Sequence, residues 1–140
     1  VGDTRGTCVM PVIYIAGPYR ATTAWLRELN VRAAEEAALL AAQHGCVPVC
    51  PHTMTRFFDG TLTDAYWLEA TLEIMRRCDA VLFVAGWKGS KGSLAEKAEA
   101  ERLGMPVAFY SGWKDPDDMP VVIAELKRKL AVLREVPRAP

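Results

Sequence analysis

A chain of 140 residues, 51% of them apolar, is long enough for one buried core and too apolar for disorder. Its 17 Lys and Arg residues balance 17 Asp and Glu residues, so no net field draws in a nucleic-acid polymer. The longest apolar run falls well short of the roughly 20 residues that a membrane helix needs.

Residues 1–10 read as a flexible leader. Val1–Thr7 is polar and lacks the apolar segment of a secretion signal, and Met10-Pro11 reads as a native start. A reducing, cytoplasmic setting is therefore expected. The four cysteines, Cys8, Cys46, Cys50 and Cys78, are scattered and form no CxxC pair.

Residues 11–135 alternate apolar runs with amphipathic ones. Val12-Ile13-Tyr14-Ile15-Ala16 is a buried strand, broken by Gly17-Pro18. Leu26, Leu29, Ala33, Ala37 and Leu40 recur at helical spacing, and Gly45 ends that helix. Val47 to Cys50 is the second strand, stopped by Pro51. Cys46 and Cys50 fall on one face of it, which fits a strand better than metal ligation with His52. Residues 51–63 form a long loop, which makes it a functional candidate.

Leu68, Leu72 and Met75 mark the second helix, and Ala80–Val84, entered by Asp79, the third strand. A Gly/Ser/Lys loop over 86–92 leads to a helix from Leu94 to Leu103, closed by Gly104. Pro106–Tyr110 is the fourth strand and 115–120 a turn. Ile123, Leu126, Leu130 and Leu133 lie on a last helix, and 136–140 are a tail. Repeated strand–helix units imply one domain, a doubly wound, flavodoxin- or Rossmann-like parallel sheet of four or five strands. In such sheets ligands bind at the C-terminal strand ends, which selects the loops after Ala16, Cys50 and Val84.

The first of these loops offers Gly17, where backbone can approach a ligand, and Arg20, whose fork suits a phosphate; a surface arginine on a plain turn competes. The last runs Trp87-Lys88-Gly89-Ser90-Lys91-Gly92-Ser93 into a helix. Free backbone N–H groups, two hydroxyls and the helix's positive end make an anion cradle without the spacing of a P-loop. Glu96 points a carboxylate at the same cleft. A structural reading competes here too, with Ser93 and Glu96 as a capping box. His52 is the titrating group expected near neutral pH. Tyr66 and Trp67 can stack on a base or serve as core or interface, as can Trp25, Trp87 and Trp113; Lys88 and Lys91 can attract phosphate or stay solvated.

Several pieces stand in a telling order: Tyr14-Ile15-Ala16-Gly17-Pro18, then Cys78-Asp79-Ala80-Val81, then Gly86-Trp87 with Ser90-x-Gly92-x-x-x-Glu96, then Ala100 and Gly104-Met105-Pro106-Val107. From about residue 12 to 108 the chain resembles the nucleoside 2-deoxyribosyltransferase superfamily. The resemblance implies that Glu96 is the nucleophile and that Tyr14 orients it. It assigns Ser90 and Arg20 to a 5′-phosphate, as in the branch that hydrolyses 2′-deoxynucleoside 5′-phosphates. Gly17, His52, Asp64, Trp87, Gly92 and Ser93 complete the expected binding set. One departure matters: where relatives carry an assisting aspartate, this chain has Thr71, with Asp64, Glu69 or Glu73 as substitutes, unless the leaving base needs less help. Ser111 is the candidate for a serine that some hydrolases donate from a neighbouring subunit.

The expected reaction is cleavage of an N-glycosidic bond, by hydrolysis or base transfer, on a nucleoside 5′-monophosphate or nucleoside. No metal or cofactor is called for, and a homodimer or larger homo-oligomer is expected. Two alternatives remain: a nucleotide-binding module without turnover, suggested by Thr71, and a phosphoribohydrolase of the lysine-decarboxylase-like kind, whose PGGxGTxxE pattern is missing here.

Overall fold

The computed structural model describes residues 10–112 and 118–135. The elements run β1 (Val12–Ala16), α1 (Ala24–Gln43), β2 (Val47–Val49), α2 (Pro51–Met54), α3 (Asp64–Arg76), β3 (Ala80–Val84), α4 (Lys91–Arg102), β4 (Val107–Tyr110) and α5 (Asp118–Glu135). The leader up to residue 9 with Cys8, Trp113, the first part of the expected 115–120 turn, and the 136–140 tail lie outside the described residues.

The four strands form one parallel sheet in the order β2-β1-β3-β4. This is a doubly wound, Rossmann-like α/β domain. Alternation along each strand separates two cores. Ile13, Ile15, Leu82, Val84 and Ala108 face α1 and α5; Tyr14, Ala16, Val81 and Phe83 face α3 and α4. Asp79 ties the two central strands at their start: its N–H donates to the Val12 carbonyl and its Oδ2 accepts from the Val12 N–H, both at 2.8 Å. β1 lies at the reversal of strand order, with β2 on one side and β3 on the other, so the cleft opens above the β1 and β3 ends.

The apolar spacing marked α1 correctly; its buried residues are Val31, Ala34, Ala37 and Ala41, whereas Leu26 and Leu29 are exposed. Three expectations are corrected. Part of the 51–63 loop is helical: Cys50 caps α2 and Pro51 takes its first position, where the missing N–H costs nothing. α4 starts at Lys91, three residues early, because Ser90 and not Ser93 is its cap, with Ser90 Oγ accepting from the Ser93 N–H at 3.2 Å. Asp118–Pro120, expected in a turn, form the first turn of α5. No helix among the described residues is long and apolar enough to cross a membrane.

Candidate active site

Above the β1 and β3 ends lies a cleft of about 520 Å³, walled by the β1–α1 connection, α2, one face of α3 and the first turns of α4. Asp64, Trp67, Leu68 and Thr71 all reach it, at the three- and four-residue spacing that puts them on one stripe of α3. The wall beside β1 exists because residue 17 is glycine. A Cβ there would sit 2.1 Å from Val84 Cγ2, so no larger residue lets the chain cross the end of β3 so closely.

At the cleft floor Tyr14 and Glu96 meet. Tyr14 projects from β1 and is 1% exposed; Glu96, in the second turn of α4, is 7% exposed. The Tyr14 phenol hydrogen-bonds the Glu96 carboxyl, and Thr71, whose hydroxyl donates to the Leu68 carbonyl at 3.0 Å, lies beside the same phenol. Burial pushes the Glu96 carboxyl up to about 7, against the pull of the Tyr14 hydrogen bond. The Tyr14 phenol is held well above its ordinary range by burial and by the Glu96 charge. With Ser90 as the cap, the capping-box role for Glu96 disappears, and its carboxyl is free to serve the cleft.

The start of α4 forms one end of the cleft, through Ser90, Lys91, Gly92 and Ser93. The N–H groups of Lys91 and Gly92 have no acceptor within the helix. Ser90 keeps its own hydroxyl proton to donate while accepting from Ser93. Ser93 is 1% exposed, and its hydroxyl has no partner among the described residues. A Cβ on Gly92 would meet nothing closer than Ser90 Oγ at 3.9 Å, so the space beside it belongs to the cleft.

Towards the other end, Arg20 is held by two carboxylates, Asp59 at 3.3 Å and Asp64. Its expected phosphate contact therefore requires an exchange of partners. His52 lines the cleft, but its Nε2 donates to the Pro18 carbonyl at 3.0 Å, and burial lowers its pKa. Burial thus favours the neutral ring and moves the expected titration to lower pH. Trp67 stacks on Phe58, and its buried indole N–H has no partner among the described residues. Trp87 stands outside the cleft: it packs on Phe83 and Phe109, at 5.5 and 5.0 Å between centroids, and borders a smaller hollow with Ser111. Cys46 and Cys50 belong to the core.

The sequence reading brought Tyr14, Gly17, Arg20, His52, Asp64, Ser90, Gly92, Ser93 and Glu96 into this cleft. It missed Asp59, whose contact with Arg20 no local pattern encodes, and it left Trp67 undecided.

Residues 11–110, more than half of the chain, match a family described as a domain of unknown function, DUF7768. The chain belongs to that family. The matched segment runs from the start of β1 to the end of β4 and so contains the whole sheet and Glu96. No curated protein matches the sequence.

Proposed function

We propose that this DUF7768 domain cleaves an N-glycosidic bond of a nucleoside 5′-monophosphate or nucleoside, with Glu96 as nucleophile. The observation that carries the reading is a buried glutamate, hydrogen-bonded by Tyr14, on the floor of a cleft that has a helix N-terminus at one end and aromatic side chains towards the other. The ordered likeness to the nucleoside 2-deoxyribosyltransferases supports the same assignment.

Ionised Glu96 attacks C1′ of the sugar and displaces the base, forming a glycosyl ester. Water or a second base then resolves the ester with net retention, through transition states of oxocarbenium character. Tyr14 keeps the carboxylate aimed while it carries charge. Ser90, the Lys91 and Gly92 N–H groups and the Ser93 hydroxyl bind the 5′-phosphate at the α4 N-terminus. A homo-oligomer, implied by the same likeness, would cover Phe57, Phe58, Leu62 and Tyr66, all exposed on the segment leading into α3 and on its first turn; light scattering measures it.

The test is a panel of nucleoside monophosphates and nucleosides incubated with wild type and Glu96→Gln, scored for free base. Base release by wild type that collapses in the variant is expected. Binding without release would leave a nucleotide-binding module, and release that survives Glu96→Gln would remove the nucleophile.

A further inference from the structure

When the bond between C1′ and an ordinary purine or pyrimidine breaks, its electron pair stays on the base. Departure is then fast only if an acid delivers a proton. Among the described residues lining the cleft, no carboxylic acid or imidazolium is free to do this, and beyond them and the cations Arg20 and Lys91 the lining offers only hydroxyls and phenols, Tyr19 among them. Tyr14 and Thr71 hold their protons too tightly, and the Tyr14 phenol is already committed to Glu96. His52 is a neutral ring whose one N–H is given to the Pro18 carbonyl. Asp59 and Asp64 are paired with Arg20 as carboxylates. Lys91 is exposed at the anion end, and Glu96 is spent as the nucleophile.

The same wall has features that suit a charged ring. Asp64 lies seven residues before Thr71 on α3, about 10 Å away along the helix axis, with Trp67 between them. One arginine shared by two aspartates leaves a net negative charge there. Aromatic faces such as those of Trp67 and Tyr19 attract a cation. The Trp67 indole N–H, buried and without a partner among the described residues, lies in this same wall.

We infer that the substrate is a cationic N-glycoside, an N-ribosyl- or N-deoxyribosylpyridinium nucleotide, whose base leaves as a neutral molecule. This inference rests on Glu96 as the nucleophile. A carboxylate oxygen bonds C1′, the C1′–N bond breaks, and its electron pair cancels the positive charge of the ring nitrogen, so no proton moves. Water then bonds C1′, the ester C1′–O bond breaks with its pair returning to Glu96, and the proton from water passes to solvent. Thr71 fits this chemistry because its hydroxyl, which donates to the Leu68 carbonyl, is not asked to supply a proton to the base.

The experiment uses the intact protein and two nucleotides matched in sugar and phosphate, nicotinamide riboside 5′-monophosphate and inosine 5′-monophosphate, each also in the 2′-deoxy form. Free nicotinamide and hypoxanthine are measured by chromatography, with Glu96→Gln as the blank. The uncatalysed cleavage rates are measured at the same pH. The enzymatic ratio of kcat/KM, nicotinamide over hypoxanthine, is expected to equal or exceed the uncatalysed ratio, because a site without an acid gives the purine no special help. A smaller ratio means that the site assists purine departure; it overturns this inference and leaves the N-glycosidase reading standing. Release of neither base overturns both.

Discussion

Glu96→Gln separates the cost of burying a charge from the use made of it. In the folded chain the Glu96 carboxyl is raised from 4.5 to about 7, with burial as the largest cause. A shift of that size, at roughly 1.4 kcal/mol per unit, corresponds to about 3 kcal/mol. The folded state holds the proton more tightly than the unfolded chain. The associated stability is therefore fully present below about pH 4.5 and is lost as the pH rises through about 7. Glutamine has the same shape and never ionises, so it escapes this loss. Relative to wild type, the variant should gain about 3 kcal/mol between pH 4.5 and 8.5, whatever constant offset the exchange brings. Urea unfolding followed by tryptophan fluorescence, at both pH values and constant ionic strength, measures this gain. A gain below about 1 kcal/mol, or one of opposite sign, would show that the cleft does not disfavour the carboxylate, and the reasoning about burial would fail.

Three further outcomes follow from the same geometry. Tyr14→Phe removes a hydrogen bond that lowers the Glu96 pKa, so the rising limb of the pH–rate profile, placed near 7 in wild type, should move to higher pH; a limb that stays put would detach Tyr14 from Glu96. Gly92→Ala adds a methyl group where the protein leaves room and should stabilise α4 by up to about 1 kcal/mol, while phosphate-bearing ligands bind more weakly in calorimetry; unchanged binding would move the anion site elsewhere. Arg20→Ala leaves Asp59 and Asp64 unpaired at the end of the cleft away from the α4 N-terminus, so a nucleoside 5′-monophosphate and its parent nucleoside should change in affinity by the same factor; a loss of about tenfold, roughly 1.4 kcal/mol, confined to the monophosphate would move the phosphate to Arg20.

The sheet was legible because each strand is a short apolar run between helical repeats, and the loops at its C-terminal edge marked the cleft, while the pairing of Tyr14 with Glu96 came from the family resemblance. What escaped depends on contacts between distant segments. Two serines three residues apart, Ser90 and Ser93, are equally good caps on paper, and only the packed α4 selects the first. The apolar spacing of α1 marked a helix, but which residues are buried, Val31, Ala34, Ala37 and Ala41, follows from its packing. Burial around His52 lowers its pKa against the opposing pull of the Pro18 carbonyl, and that burial comes from segments distant in sequence. The pairing of Arg20 with Asp59 joins residues 39 positions apart, beyond the reach of any local motif.

The unpaired Ser93 hydroxyl and Trp67 indole N–H also offer a handle on the ligand that assumes no reaction at all. Leaving a buried donor without an acceptor costs on the order of 1–3 kcal/mol. Only the folded chain presents these two groups together, so a molecule that pairs both shifts the folding equilibrium as well as filling the cleft. At a hundredfold excess over its Kd, such a ligand stabilises the fold by about 2.7 kcal/mol. In a domain of this size that is a rise in Tm on the order of 10 °C. A melting-temperature screen of metabolite-like heterocycles and their nucleotides should therefore pick out the natural ligand class by its heat resistance alone, and Ser93→Ala and Trp67→Phe should each blunt the shift for that class and for no other.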